Sequence, residues 1–201
     1  MDLMSTKKES ATLDLSHRIA LRVQALRAAR GLSLEALATY CGVSRSMISL
    51  IERGESSPTA VLLEKLATGL GVPLASLFDT PDVQGMPVAR AADQLVWTDP
   101  HSGYTRRNVS PPGGASPIQI VEVVFPPQAR VAYETAAREP QIHQQVWVLE
   151  GSMDVTLGPD THHLHAGDCL AFPLNQPTCF FNPERVAARY AVVIATTPGL
   201  R

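Results

Sequence analysis

The stretch "GVSRSMISLIERGESSP", Gly42 to Pro58, gathers hydroxyls and guanidinium groups at close spacing and contains no lysine. Arginine offers a planar fork of donors that can meet two acceptors at once, and serine either donates or accepts. The hydroxyls of Ser44, Ser46, Ser49, Ser56 and Ser57 and the guanidinium groups of Arg45 and Arg53 raise the question of what surface the stretch is shaped to meet. A second collection comprises His143, the "HHLH" run with His162, His163 and His165, and the cysteines Cys41, Cys169 and Cys179. Imidazole suits divalent iron, manganese or zinc. The three cysteines are odd in number and lack metal-type spacing, so they give neither a disulfide framework nor a zinc cluster, and reduced thiols are expected.

The usefulness of either set depends on the elements that carry it. With 201 residues and 45% hydrophobic content, the chain can build two small cores. Residues 1 to 80 carry 9 Lys+Arg against 8 Asp+Glu, whereas residues 81 to 201 carry 8 against 11. Within Ser16 to Ser56 six arginines (Arg18, Arg22, Arg27, Arg30, Arg45, Arg53) face Glu35, Glu52 and Glu55, a local excess of +3. That excess permits a polyanion partner without demanding one. No export signal opens the chain and no apolar run approaches the ~18 residues of a membrane span, so a cytoplasmic protein with no membrane association is expected.

Leu15, Ile19, Val23 and Leu26 recur at three- or four-residue spacing and predict a first helix that ends at Gly31. Ser33 caps a second helix, with Leu34, Leu37 and Ala38 on one face, which breaks at Gly42. Ser44 caps a third, whose buried side is Met47 or Ile48 with Ile51 and which Gly54 closes. Pro58 sits in the first turn of a fourth, with Val61, Leu62, Leu66 and Leu70 as its stripe. A short turn, Leu74 to Phe78, completes a five-helix unit. Two short helices joined by a glycine-bearing turn, with the small Ala38 four residues before Gly42, form a helix-turn-helix.

The segment "SLEALATYCGVSRSMISLIERGESSPTAVLLEKLATGLGVPLASLF" resembles the XRE/Cro-type helix-turn-helix domain, an all-α, five-helix, lambda-repressor-like fold. The match rests on Leu37-Ala38, Gly42-Val43-Ser44, Ile48-Ser49, Glu52-Arg53-Gly54 and Pro58-Thr59. The resemblance implies a third helix that enters the major groove by its N-terminal end. Arg45, Ser46, Ser49 and Leu50 would face bases, with Arg45 forked onto guanine and Leu50 against a thymine methyl. Ser44, Arg53, Ser57 and Thr59 would face phosphates around the turn into the fourth helix, whose free N–H groups make a phosphate seat. Glu52 is implied to be structural, pairing with an arginine of the first helix or with backbone donors. Leu34 stands where the family often has a phosphate-touching Gln, so no contact is carried over there.

After Phe78, "DTPDVQGMPVARAADQ" reads as a linker. From Leu95 onward short β-rich runs alternate with Pro/Gly turns, as in "QIVEVVF", "QQVWVLEG", "SMDVTLG", "HHLHAGDCLAFP", "TCFFN" and "RYAVVIATT", and predict a small sandwich or barrel. "QQVWVLEGSMDVTLG" and "LHAGDCLAFPLNQPTCFFN" resemble the two halves of the cupin signature, with Gly151, Gly167, Asp168, Pro173 and Asn182 at its turns and strand ends. An all-β cupin (jelly-roll) barrel is implied. The expected layout is a flexible N-terminal tail over 1–14, the helix-turn-helix domain over 15–78, a linker over 79–94 and the cupin over 95–201.

Cupins often hold a metal through three His and one Glu, and those positions fall here on Arg138, Pro140, Gln144 and Thr178. No metal, no cofactor and no catalytic residue is therefore expected. His143 lies on the opposite strand face from Gln144, and the "HHLH" run falls on what is normally an outer strand, so solvated histidines are expected. Cys169 and Cys179 are read as buried small hydrophobes. An effector pocket would carry Arg138, Gln144 and Thr178 as inward polar groups, Tyr133 at the mouth, and Val146, Val148 and Phe180 as apolar wall. That mixture suits a small anionic or amide-bearing metabolite.

An XRE-type domain followed by a cupin recurs in bacterial transcription regulators. The resemblance implies a homodimeric, sequence-specific regulator of a double-stranded DNA operator whose cupin senses a small-molecule effector, and which is not an enzyme. The alternative is a fused helix-turn-helix and cupin epoxidase with mononuclear iron, against which the missing ligands argue. A scaffolding dimer that does not bind DNA is a third reading.

Overall fold

The computed structural model describes residues 3–78, 87–113, 116–134 and 141–197, with side chains described within these ranges from Leu15 to Thr196. The helical half contains α1 (Leu3–Ala29), α2 (Leu34–Cys41), α3 (Arg45–Glu52) and α4 (Ala60–Gly69). Helix α1 starts ahead of Leu15, and from that point Leu15, Ile19 and Val23 are buried as their spacing predicts. The N-termini of the next three helices are set by hydroxyls that satisfy free backbone donors. Ser33 Oγ accepts from Ala36 N–H at 3.0 Å, Ser44 Oγ from Met47 N–H at 3.3 Å and Thr59 Oγ1 from Leu62 N–H at 3.3 Å. Gly54, at φ 70°, ends α3: its N–H bonds Ile51 O at 2.9 Å, and the Glu55 N–H bonds Leu50 O at 2.9 Å. At Gly69 a Cβ would lie 2.7 Å from Cys41 Cβ, so α2 and α4 reach their packing distance only because this residue is glycine.

Two expectations about this half need correction. Four α-helices are found among the described residues rather than five, because the fifth element, Leu74–Phe78, is a 3₁₀ helix. Entered from Pro73, with Ser76 N–H bonded to Pro73 O at 2.9 Å, it is too short to establish an α ladder. The fourth helix begins at Ala60 behind the Thr59 cap, so Pro58 precedes it, and its buried pattern also differs from a single stripe. Leu63, Leu66 and Leu70 are fully buried, Val61 and Leu62 only half-buried, and Ala60, Glu64 and Ala67 form a second buried row. Helix α4 contacts α2 and the Leu74–Phe78 turn within the helical half and also a strand of the β half, and this accounts for two buried faces.

The β half contains β1 (Val96–Thr98), β2 (Thr105–Asn108), β3 (Ile118–Phe125), β4 (Arg130–Tyr133) and β5 (Gln141–Glu150). It continues with β6 (Ser152–Leu157), β7 (Asp160–His165), β8 (Cys169–Pro173), β9 (Thr178–Phe181) and β10 (Ala188–Thr197). They form a six-stranded sheet, β1-β2-β3-β10-β5-β8, and a four-stranded sheet, β4-β9-β6-β7, paired antiparallel throughout. Of the expected sandwich or closed jelly-roll barrel, two open sheets are found, because among the described residues no ladder joins the edge strands of one to those of the other. Across the larger sheet the register aligns Trp97, Arg106, Val123, Tyr190 and Val148 in one buried row. Phe180 of β9 stacks on Tyr190 of β10 at 6.0 Å, which joins the inner faces of the two sheets.

The halves share one continuous apolar core. Phe78, at the end of the helical half, packs on Trp97 at 5.6 Å, and aromatic contacts continue through Tyr104 and Phe125 to Tyr190. Asp99, only 2% exposed, accepts from Ala60 N–H at 2.9 Å and from the N–H and Oγ of Ser102 at 2.8 and 2.5 Å. A carboxylate from the β half thus sits on the positive end of α4, where it is electrostatically favoured. Lys65 of α4 reaches Glu134 at 2.9 Å, a second link between the halves.

Candidate functional site

Helix α3 turns Ile48 and Ile51 into the core and leaves Ser44, Arg45 and Ser46 exposed at its N-terminal end, with Ser49 and Leu50 half-exposed. The Ser44 hydroxyl, engaged as the cap, also lies 3.2 Å from Ser46 Oγ. Arg45 Nε is 4.0 Å from Glu35 Oε2, and both side chains are open to solvent, so the contact restrains Arg45 little. Arg53 makes a fork onto Glu55, with Nε and Nη2 each donating at 2.8 Å, and its Nη1 donates to Ser49 Oγ. This hydrogen bonding holds the Glu55 carboxyl below its ordinary value and the Arg53 guanidinium above its own.

Glu52 is the strut of this surface. Arg27 of α1 grips its carboxylate through Nε at 2.6 Å and Nη2 at 2.7 Å, and donates from Nη1 to Leu32 O at 2.8 Å. The pair is largely enclosed, and the Glu52 hydrogen bond raises the Arg27 pKa. Around the turn into α4, Ser57 is exposed and Thr59 half-exposed. The free N–H groups expected there are partly engaged: Asp99 takes that of Ala60 and Thr59 takes that of Leu62. Local sequence around α4 carries no sign of this, because Asp99 comes from the other half of the chain.

A small cavity of about 50 Å³, partly open to solvent, lies at the junction of the two halves. Tyr133, Gln144, Thr178 and Phe180 come together on its wall. Val146 and Val148, also expected there, are fully buried further along β5 and do not line it, and Arg138 lies outside the described residues. Sequence reasoning missed Glu64 and Leu74 from the helical half and Tyr104 and Arg106 from the lead-in to the larger sheet.

Arg106 is 6% exposed, its guanidinium carbon 5.4 Å from the centre of the Phe78 ring. Its Nε and Nη2 have no hydrogen-bond partner among the described residues. Tyr104 OH lies 3.3 Å from Tyr133 OH. Burial pushes the Tyr104 phenol above its ordinary pKa and those of Tyr133 and Tyr190 well above theirs, so all three hydroxyls stay protonated.

Gln144 and Thr178, two of the positions at which cupins often place metal ligands, do meet at this cavity. An amide and a hydroxyl are a poor donor set for iron, and no group of three or more His, Cys, Asp or Glu is placed to hold an ion among the described residues. The donors do not fit a mononuclear iron centre. His143, His163 and His165 are exposed and His162 is half-exposed, with His163 Nδ1 2.8 Å from Asp154 Oδ1. Cys179 is half-buried, whereas Cys169 is exposed and not the buried hydrophobe expected. It faces outward beside Trp147, its partner in the ladder, on the solvent side of the larger sheet.

The helix-turn-helix family HTH_3 matches residues 23–77, and the Cupin_2 family, the cupin domain, matches residues 121–194. The HTH-type transcriptional regulator SutR of Escherichia coli (strain K12) is 28% identical over 165 residues, covering 79% of this chain and 84% of its own. The HTH-type transcriptional regulator PuuR of the same organism is 26% identical over 178 residues, covering 88% and 93%. Among solved structures, an HTH_3 family transcriptional regulator from Vibrio cholerae matches at a TM-score of 0.74 and 26% identity, covering 92% of this chain and 99% of that one. No helix among the described residues is long and apolar enough to cross a membrane.

Proposed function

We infer that this chain, an HTH_3 helix-turn-helix domain joined to a Cupin_2 domain, is a sequence-specific DNA-binding transcriptional regulator whose cupin cavity takes a small effector. The observation that carries this reading is the N-terminal end of α3: exposed Arg45 and Ser46 and half-exposed Ser49 on a helix anchored by Ile48, Ile51 and the Arg27–Glu52 pair. Polar side chains on a rigid helix end are what major-groove readout needs. Arg45 forks onto a guanine, Ser46 and Ser49 meet neighbouring base edges, and Leu50 meets a thymine methyl. Arg53 exchanges Glu55 for a phosphate, and Ser44, Ser57 and Thr59 complete the backbone contacts.

The protein acts in the cytoplasm as a homodimer and not as an enzyme. Support for the dimer comes from the outer face of the larger sheet, where Ile118, Ile120 and Val124 of β3 and Trp147 of β5 are exposed. Apolar side chains grouped on one sheet face mark an association surface. A two-fold dimer would place its recognition helices about 34 Å apart or a multiple of that. The effector changes operator affinity through different contacts in the competent and incompetent arrangements. Selection from a random double-stranded DNA pool by the purified protein tests this reading. An enriched inverted repeat is the expected result, and no enrichment even at low salt would overturn it.

A further inference from the structure

The cavity has one cation and one anion among its described lining residues, Arg106 on β2 and Glu64 on α4, and they come from different halves of the chain. Arg106 is more than nine-tenths buried, yet two of its donors, Nε and Nη2, meet no acceptor among the described residues. Buried donors of this kind are rare in folded proteins and call for a partner. Phe78 covers the guanidinium at 5.4 Å, and the rest of the wall offers neutral groups: the Gln144 amide, the Thr178 hydroxyl, the tyrosine hydroxyls, and apolar Phe125, Phe180 and Ile194. A guanidinium with unmet N–H donors beside a largely apolar wall is complementary to a carboxylate with a hydrocarbon body.

Resting on the reading of this cavity as the effector site, we propose that it takes a small monocarboxylate whose anionic group docks on Nε and Nη2 of Arg106. The bound molecule is sensed by the DNA-binding half because α4 and the Leu74–Phe78 turn supply part of the wall. Glu64 and Leu74 line the cavity only while the two halves are docked as in this structure. A ligand that touches both halves therefore binds this arrangement more tightly than a separated one, and shifts the population toward it. Glu64 adds a negative charge near the carboxylate, so it selects against a second anionic group.

The proposal makes two charge removals act in opposite directions, which a merely structural role would not do. The full-length protein, without DNA, is titrated calorimetrically at constant ionic strength with monocarboxylates from acetate to phenylacetate, each paired with its primary amide. At least one carboxylate is expected to bind wild type, with its amide about tenfold weaker or worse. Arg106→Gln weakens the carboxylate by a similar factor, Arg106→Lys keeps part of the affinity, and Glu64→Gln tightens it severalfold. The proposal is overturned if no carboxylate binds the folded wild type, if amide and acid bind equally, or if Arg106→Gln binds like wild type. Should Arg106→Gln not fold, the acid and amide comparison on wild type, with Arg106→Lys, decides. Failure of the regulator reading would show separately, as absence of DNA selection by the ligand-free protein.

Discussion

Helix α3 draws its cap, its exposed polar groups and its closing glycine from the short stretch Gly42 to Pro58, with Arg27 as its main distant support. The cavity instead draws Glu64 from α4, Arg106 from β2, Gln144 from β5 and Thr178 from β9. The contrast teaches that the two sites are protected differently. A DNA-reading surface must present side chains to solvent, so its stability comes from what lies beneath it. The cavity is itself part of the core, so its polar groups are both site and packing.

The largest test of that difference is Glu52→Ala. It leaves the part-buried Arg27 without its carboxylate, and loss of a charged hydrogen-bond partner of this kind costs about 2–3 kcal/mol. Denaturant unfolding should show that loss, with hydrogen exchange rising first in α1 and α3 while β5 and β10 stay protected. Equal loss of protection in both halves would mean that they unfold as one unit and that the contrast is wrong.

A smaller effect is expected at the seam. Asp99→Ala removes the carboxylate from the Ala60 N–H and from Ser102, and a lost helix cap costs about 1–2 kcal/mol. Faster exchange of the first α4 amides, with the core strands unchanged, is the expected readout. Unchanged α4 exchange would show that the Thr59 cap suffices and that Asp99 does not tie the halves together.

The smallest effect at neutral pH, and one confined to the β half, is alkaline. Tyr104, Tyr133 and Tyr190 have pKa values raised by burial above the ordinary 10.0, so the folded state favours their protonated forms. Their contribution is fully present below the unfolded value and is lost as pH rises past it, because the unfolded chain releases those protons first. Tyrosinate absorbance and circular dichroism, followed together, should show these three ionising only as the β half unfolds. Smooth ionisation of all tyrosines in the folded protein would contradict their placement.

What could be read from the sequence follows the same contrast. Caps at Ser33 and Ser44, glycine at Gly54, the α1 stripe and the Glu52 partnership are set by neighbours in the chain or by a recurrent motif, and each is where the residues imply. The burial of Arg106 was hidden because "TRRN" puts two arginines side by side on a short strand, and only pairing decides which points inward. Arg106 aligns with Trp97 and Val123 and goes in, whereas Arg107 goes out and meets Glu122 at 2.6 Å. Glu64 was hidden because a single apolar stripe describes a helix with one buried face, and α4 has two. Val146 and Val148 have the right parity but the wrong depth, since alternation says which face a residue joins and not how far along the strand the cavity extends.

The most direct test of the account is the comparison of Arg45→Ala and Arg53→Ala on the selected operator and on each of its single-base variants over a range of salt. Arg45→Ala should relax discrimination at one base pair by about 1–3 kcal/mol and leave the others unchanged. Arg53→Ala should weaken binding to every sequence alike and reduce the salt slope by about 1. If both variants bind and discriminate like wild type, α3 does not read the operator, and the assignment of the DNA-contacting surface is wrong.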